Sequence, residues 1–364
     1  LPPGCMGRSP AGVHGPVARR GAWAGLPPGC MGRSPAGLQG PVARRRRILQ
    51  DMTRPPRLVA LGDLLLDIVV MPEKPIERGT DVPGRLGFKR GGSAATTAAA
   101  FARAGGTAIL VTALGDDAWA ARLSKSLRAE GVRVHAVRKR GDSGRLAALI
   151  DERGERSFVT ERGVADALAP GDLEAAWFRA ASVLHVPAYS LFAEPIGAAS
   201  LEAARLARAA GAGVSCDLSS AGPLRAFGVR RARQRLRELA PEIVFANRDE
   251  AAALLGRQGR RAWPGLLAHA PAAVVKDGAW GCRVLWRGER DGTAKQLDVA
   301  ATPVGFGDTT GAGDAFAAGF LHSLTRSGGA LADIGPRSVR TAALAGHRSA
   351  AASLRRGRPD LALG

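Results

Sequence analysis

Aromatic residues make up only 5% of the 364-residue chain, with a single tyrosine, so the sequence offers no stacking platform for single-stranded nucleic acid. Cysteine is nearly absent. Cys5 and Cys30 are copies within a repeated segment, while Cys216 and Cys282 stand alone without metal-type spacing, which excludes a disulfide framework and a zinc site. No apolar run approaches the roughly 20 residues that cross a bilayer, and the N-terminal stretch lacks the apolar core of a secretory signal. A soluble, cytoplasmic protein with no membrane partner is expected. No G-x-x-x-x-G-K-[ST] string occurs, so P-loop chemistry is excluded. Acidic residues are also few, 32 against 52 basic, leaving a formal charge of +20. Such an excess attracts phosphate backbones in general. Only six of the basic residues are lysine, however, and the arginines are spread along an alanine- and glycine-rich chain. That spread is the mark of a GC-rich coding sequence and a solvated surface, and it argues against a nucleic-acid partner.

What is present begins with a direct repeat. Leu1–Gly12 recurs as Leu26–Gly37 and Gly15–Arg20 as Gly40–Arg45, a period of 25 residues. Rich in Gly, Pro and Arg and without hydrophobic periodicity, this segment cannot bury enough surface to offset its ordering entropy. Residues 1–51 are therefore expected to be a disordered tail, with Met52 as the natural start and 52–364 as one domain. From Arg57 onward, short apolar β-type runs alternate with alanine-rich helical stretches. Strands are expected at Leu58–Leu61, Ala108–Ala113, Val183–Val186, Gly213–Asp217, Ile243–Ala246 and Ala273–Val275, and helices at Ala94–Ala104, Trp119–Ala129, Ile196–Ala209, Val229–Leu239 and Arg248–Leu255. The alternation predicts an α/β fold, a mostly parallel sheet with helices on both faces and ligands beyond the strands' carboxyl ends. Two stretches depart from it, near 68–90 and 145–162, and read as a small β lid projecting from the body.

The strongest chemical signal is Gly307-Asp-Thr-Thr-Gly-Ala-Gly-Asp314, followed by the apolar run Ala315–Leu321. Small residues let a backbone approach a ligand, and a buried helix behind them points free N–H groups and its positive end at the loop. That makes a seat for a phosphate. A carboxylate at the mouth, Asp314, is expected to be kept ionised by the helix end and to accept the proton of an attacking hydroxyl. The bland reading, a glycine turn with Asp314 as helix cap, leaves the rest of the string unexplained. Paired glycines, Gly91 and Gly92, precede another helix in Arg90-Gly-Gly-Ser-Ala-Ala-Thr96 and allow a small polyol to come close. Asp67, in Gly62-Asp-Leu-Leu-Leu-Asp67, is either a carboxylate accepting from vicinal hydroxyls or a polar strand end. Asn247 and Glu250, at N-x-x-E spacing, fit a ligand crevice and a helix capping box alike. Lys276-Asp-Gly278 reads as a turn after a late strand.

These motifs, in this order, resemble the ribokinase-like (PfkB) family of carbohydrate and nucleoside kinases from Arg57 to about Arg358. The resemblance implies a three-layer sandwich with a mostly parallel central sheet and a small β lid. It implies Asp314 as catalytic base and the amides of Gly311, Ala312 and Gly313 as an anion hole. Asp67, Gly91, Gly92 and Thr96 are implied to hold the sugar or nucleoside, and Asn247, Glu250, Lys276, Gly278, Thr309 and His347 the nucleotide. ATP and Mg²⁺ follow as cofactors, with Glu250 ordering water around Mg²⁺, and Asp308 and Thr310 are implied to help hold K⁺. Two departures stand out: Thr96 replaces the family's usual substrate-binding Asn, and Ala165 stands where the lid often carries Asn. The implied activity is ATP-dependent phosphorylation of a small sugar's hydroxyl. A nucleoside acceptor and a non-catalytic sugar- or nucleotide-binding regulator are the alternatives, and a homodimer through the lid sheets is common among relatives.

Overall fold

The computed structural model describes residues 55–150, 156–288, 292–303, 309–326, 331 and 334–361. The expectation of a disordered tail over 1–51 lies outside them. In chain order the described elements are β1 (Arg57–Leu61), β2 (Leu65–Pro72), β3 (Gly84–Gly91), α1 (Ser93–Arg103), β4 (Thr107–Leu114), α2 (Ala118–Ala129), β5 (Val132–Arg138), β6 (Arg145–Ile150) and β7 (Arg156–Glu161). There follow β8 (Val183–Pro187), α3 (Ala188–Leu191), α4 (Ile196–Ala209), β9 (Gly213–Asp217), α5 (Ala221–Phe227), α6 (Val229–Leu239), β10 (Ile243–Asn247) and α7 (Arg248–Leu255). The chain closes with β11 (Ala272–Lys276), β12 (Cys282–Arg287), β13 (Ala294–Val299), α8 (Ala312–Arg326) and α9 (Pro336–Arg356).

A nine-stranded sheet of order β13-β12-β11-β10-β9-β8-β1-β4-β5 forms the middle layer. It is parallel except at β11–β12 and β12–β13, which are antiparallel. Alternation along each strand splits its side chains between two cores. Leu58 and Ala60 of β1 and Phe245 of β10 face α1, α2, α8 and α9. Val59, Leu61 and Val244 face α4, α6 and α7. Both faces are thus covered, as a parallel sheet requires.

Alanine and glycine on the helices set how closely these layers approach. A Cβ added at Gly319 of α8 would lie 2.7 Å from the Ala345 carbonyl oxygen and 2.6 Å from Ser349 Cβ of α9. One at Gly346 of α9 would press on the Phe316 ring at 2.9 Å. The two helices interlock through these gaps.

The lid is a second sheet of order β3-β2-β6-β7, mixed in direction, with β2–β6 parallel and its other pairs antiparallel. It occupies both stretches that break the alternation. β2 leaves the main sheet three residues after β1, so the lid is rooted at the carboxyl end of a central strand. Among the described residues, no helix is long and apolar enough to cross a membrane.

Candidate active site

Three neighbouring parallel strands end in polar residues: Asp217 on β9, Asn247 on β10 and Lys276 on β11. Asn247 and Lys276 are register partners. All three line a cavity of about 880 Å³ beyond the strands' carboxyl ends, together with the lid root and the start of α8. Gly91, Gly92, Thr96, Glu250, Gly278, Thr310, Gly311, Gly313, Asp67 and Asp314 line the same cavity, so most of the residues singled out in the sequence meet in one place.

At the α8 end, Gly311 holds φ +79° and Gly313 leaves room beside an ammonium group, since a Cβ there would lie 3.1 Å from Lys276 Nζ. Lys276 pairs with Asp217 at 2.5 Å. Burial pulls the Lys276 pKa down, but the carboxylates of Asp217, Glu250 and Asp314 outweigh it and raise it overall. A helix N-terminus beside a fixed cation suits a phosphate. Ala312 and Thr309 do not line the cavity, and the Ala312 N–H donates to the Thr309 carbonyl at 3.2 Å. The anion-hole trio is therefore brought together only at Gly311 and Gly313. Asp308 lies outside the described residues.

Asp314 sits in the first turn of α8, where the Ser93 hydroxyl donates to its Oδ1 at 2.6 Å. Its pKa is pushed up to about 8, chiefly by burial and then by the charges of Asp217 and Asp63, against the hydrogen bond from Ser93 and the charge of Lys276. The helix end was expected to keep this carboxylate ionised. Removal from water and two neighbouring carboxylates act against that ionisation.

Asn247 and Glu250 form the capping box that their spacing allows. The Glu250 N–H donates to Asn247 Oδ1 at 2.9 Å and the Asn247 N–H to Glu250 Oε2 at 2.7 Å. Asn247 Nδ2 also donates to Glu250 Oε1 at 2.7 Å, and both residues line the cavity. Burial raises the Glu250 pKa to about 7, opposed by Lys276 and assisted by Asp217. Lys276-Asp-Gly278 is a hairpin turn, joining β11 to antiparallel β12, and Gly278 reaches the cavity as well.

The other end of the cavity is built on the lid root. Asp67 on β2 forms an ion pair with Arg358. Gly91 lies against it, and a Cβ there would collide with the Asp67 carboxylate. Gly92 adopts φ +99° and has the Asp63 backbone where a side chain would go. The Asp63 side chain, only 2% exposed, accepts from the Ala94 N–H at the start of α1 and from Arg162 Nη1 at 3.0 Å. Arg162 also grips Asp166 and lies over the Tyr189 ring, 5.7 Å from its centroid. Thr96 packs its methyl towards Gly311, 2.9 Å from where a Cβ would be. Ala165 is fully buried and contributes nothing to the wall. His347 is not brought to the cavity either. It is buried, edge-on to Phe316, with Nε2 3.3 Å from the Val299 carbonyl, and burial lowers its pKa.

Sequence reasoning passed over Asp63, Ser93, Asp217 and Arg358 as site residues. Asp217 carried a usable signal, as the last residue of an expected parallel strand. Arg358, 291 residues from its partner, carried none.

Residues 55–361 match the pfkB family carbohydrate kinase description. A probable fructokinase-4 of Arabidopsis thaliana is 30% identical over 76% of this chain and 84% of its own length. Among solved structures, an adenosine kinase from Sinorhizobium meliloti superposes with TM-score 0.69 at 26% identity, covering 83% of this chain and 94% of its own. A fructokinase with bound ATP from Xylella fastidiosa gives TM-score 0.71 at 24% identity, over 83% and 93% of the two chains.

Proposed function

This chain belongs to the pfkB family of carbohydrate kinases, ATP-dependent phosphotransferases acting on a sugar hydroxyl, and we propose that its acceptor is an uncharged free sugar and that Asp314 is the base. The observation that carries the reading is the placement of Asp314, at a helix N-terminus and inside a cavity with the Lys276 cation at one end and the carboxylates of Asp63, Asp67 and Asp166 at the other. A raised pKa makes Asp314 a stronger base than an ordinary carboxylate, matched to a proton that leaves as the new P–O bond forms.

At the phosphate end, Lys276 and the Gly311–Gly313 turn face the γ-phosphoryl group as its charge builds, with Asp217 fixing the lysine. Glu250 and Asn247, which line the cavity, would hold the hydrated Mg²⁺ that accompanies ATP, and the ion would supply charge neutralisation on the phosphates. At the acceptor end, Asp63, Asp67 and Asp166 face Arg162 and Arg358, so both arginines are already committed to carboxylates. Among the described residues at that end, no cavity-lining arginine stands outside such a pair, which disfavours a carboxylate or phosphate on the sugar. The fructokinase relatives make fructose the first candidate. A nucleoside is the second, favoured by the adenosine kinase likeness and by Tyr189, Phe192 and Phe227 along one cavity wall.

An ADP-release screen over free sugars, sugar acids, sugar phosphates and nucleosides tests the assignment. Turnover confined to neutral sugars is expected, and a clear preference for a charged acceptor contradicts it.

A further inference from the structure

Helix α9 stops at Arg356 because Gly357 turns the chain at φ +72°, a left-handed value that glycine adopts without strain. The residues beyond run along the root of the lid. Arg358 precedes a proline and is thereby confined to extended backbone. The Arg90 N–H donates to the Pro359 carbonyl at 3.1 Å, the Leu361 N–H to the Phe88 carbonyl at 2.7 Å, and Lys89 Nζ to Asp360 Oδ1 at 2.8 Å. The Leu361 side chain is buried in the core under β3. Held on both flanks, Arg358 puts its guanidinium into the cavity against Asp67, with side chains only 10% and 7% exposed. The same stretch of β3 does both jobs: Lys89 and Arg90 fasten the strap, and Gly91 makes the room that Asp67 needs.

We propose that Arg358 is a positioning residue for the acceptor sugar, delivered by the strap Gly357–Leu361. It fixes the orientation of the Asp67 carboxylate and sets a donor beside that acceptor, so that one sugar hydroxyl can donate to Asp67 and accept from Arg358. A vicinal diol matches this pair. The inference rests on the reading that Asp67 takes the sugar's hydroxyls.

The test is steady-state kinetics with fructose and ATP varied in turn, on wild type, Arg358→Ala, Arg358→Lys, Asp67→Asn and the Asp67→Asn/Arg358→Ala double variant. Loss of one charge-assisted contact is worth about tenfold or more. The sugar KM of Arg358→Ala is therefore expected to rise by that factor while the ATP KM stays within about twofold. Lysine should restore part of the loss, and the double variant should be little worse than Asp67→Asn alone, since the two act as a unit. Should the loss of this buried ion pair prevent Arg358→Ala from folding, Arg358→Lys carries the test, because an ammonium cannot reproduce the planar fork and the sugar KM should still rise several-fold. An unchanged sugar KM, or an equal rise for both substrates, overturns the inference while leaving the kinase reading in place. A wild type inert with every sugar removes the reading and the inference together.

Discussion

Six acidic side chains, Asp63, Asp67, Asp166, Asp217, Glu250 and Asp314, line one cavity with Lys276, and on the proposed reading the protonation of Asp314 decides whether a hydroxyl can be activated there. Because burial lifts its pKa to about 8, the ionised base is lost as pH falls through that value. The kcat/KM of the free enzyme should therefore climb with pH and level off above about 8, a limb that belongs to the coupled set of carboxylates. Ser93 donates to the charged form and holds the pKa down. Ser93→Ala should move the limb to higher pH, and a limb that stays in place or moves lower would contradict the arrangement. Asp314 itself was legible because small residues and two aspartates in one string have few structural explanations. Its electrostatics were not, because the nearest charges come from β1–β2, β9 and β11, which only the fold brings together.

Helix α8 carries Asp314 in its first turn and is set in place by its middle. Gly319 lets α9 approach to backbone contact, and a methyl there would strike the Ala345 carbonyl. Gly319→Ala should cost about 1–3 kcal/mol by overpacking, read as a lower denaturation midpoint. A midpoint equal to wild type would mean the helices yield without strain. Elements such as α4, α6 and α7 could be bounded from sequence, since their apolar residues recur at helical spacing on one face. β5, β12 and β13 could not. β5 and β13 form the two edges of the sheet, where exposed residues such as Arg133, Lys295 and Gln296 blur the apolar run, while the mostly buried β12 is one short apolar run without an α-helix before it. The short α5 and the strap at Gly357–Leu361 have no periodicity at all, and the strap's register is set by β3, far away in sequence.

At the scale of the described domain, a nine-stranded sheet and a four-stranded lid sheet both contribute residues to one cavity beyond the strands' carboxyl ends, and on the proposed reading the phosphates lie on the sheet side and the acceptor under the lid. β1 passes directly into β2, so sheet and lid share Asp63 and Asp67 at their junction. Closure of such a lid excludes water that would otherwise compete with the sugar for the phosphoryl group. The charge of +20 belongs to the full sequence, whereas the charged side chains that line the described cavity are mostly acidic. The central claim, that Asp314 is the base, is tested most directly by comparing ADP release from wild type and Asp314→Asn at saturating sugar. The account predicts a fall in kcat of about 10²–10⁴-fold, with ATP binding nearly unchanged. Equal turnover by the two proteins would contradict it.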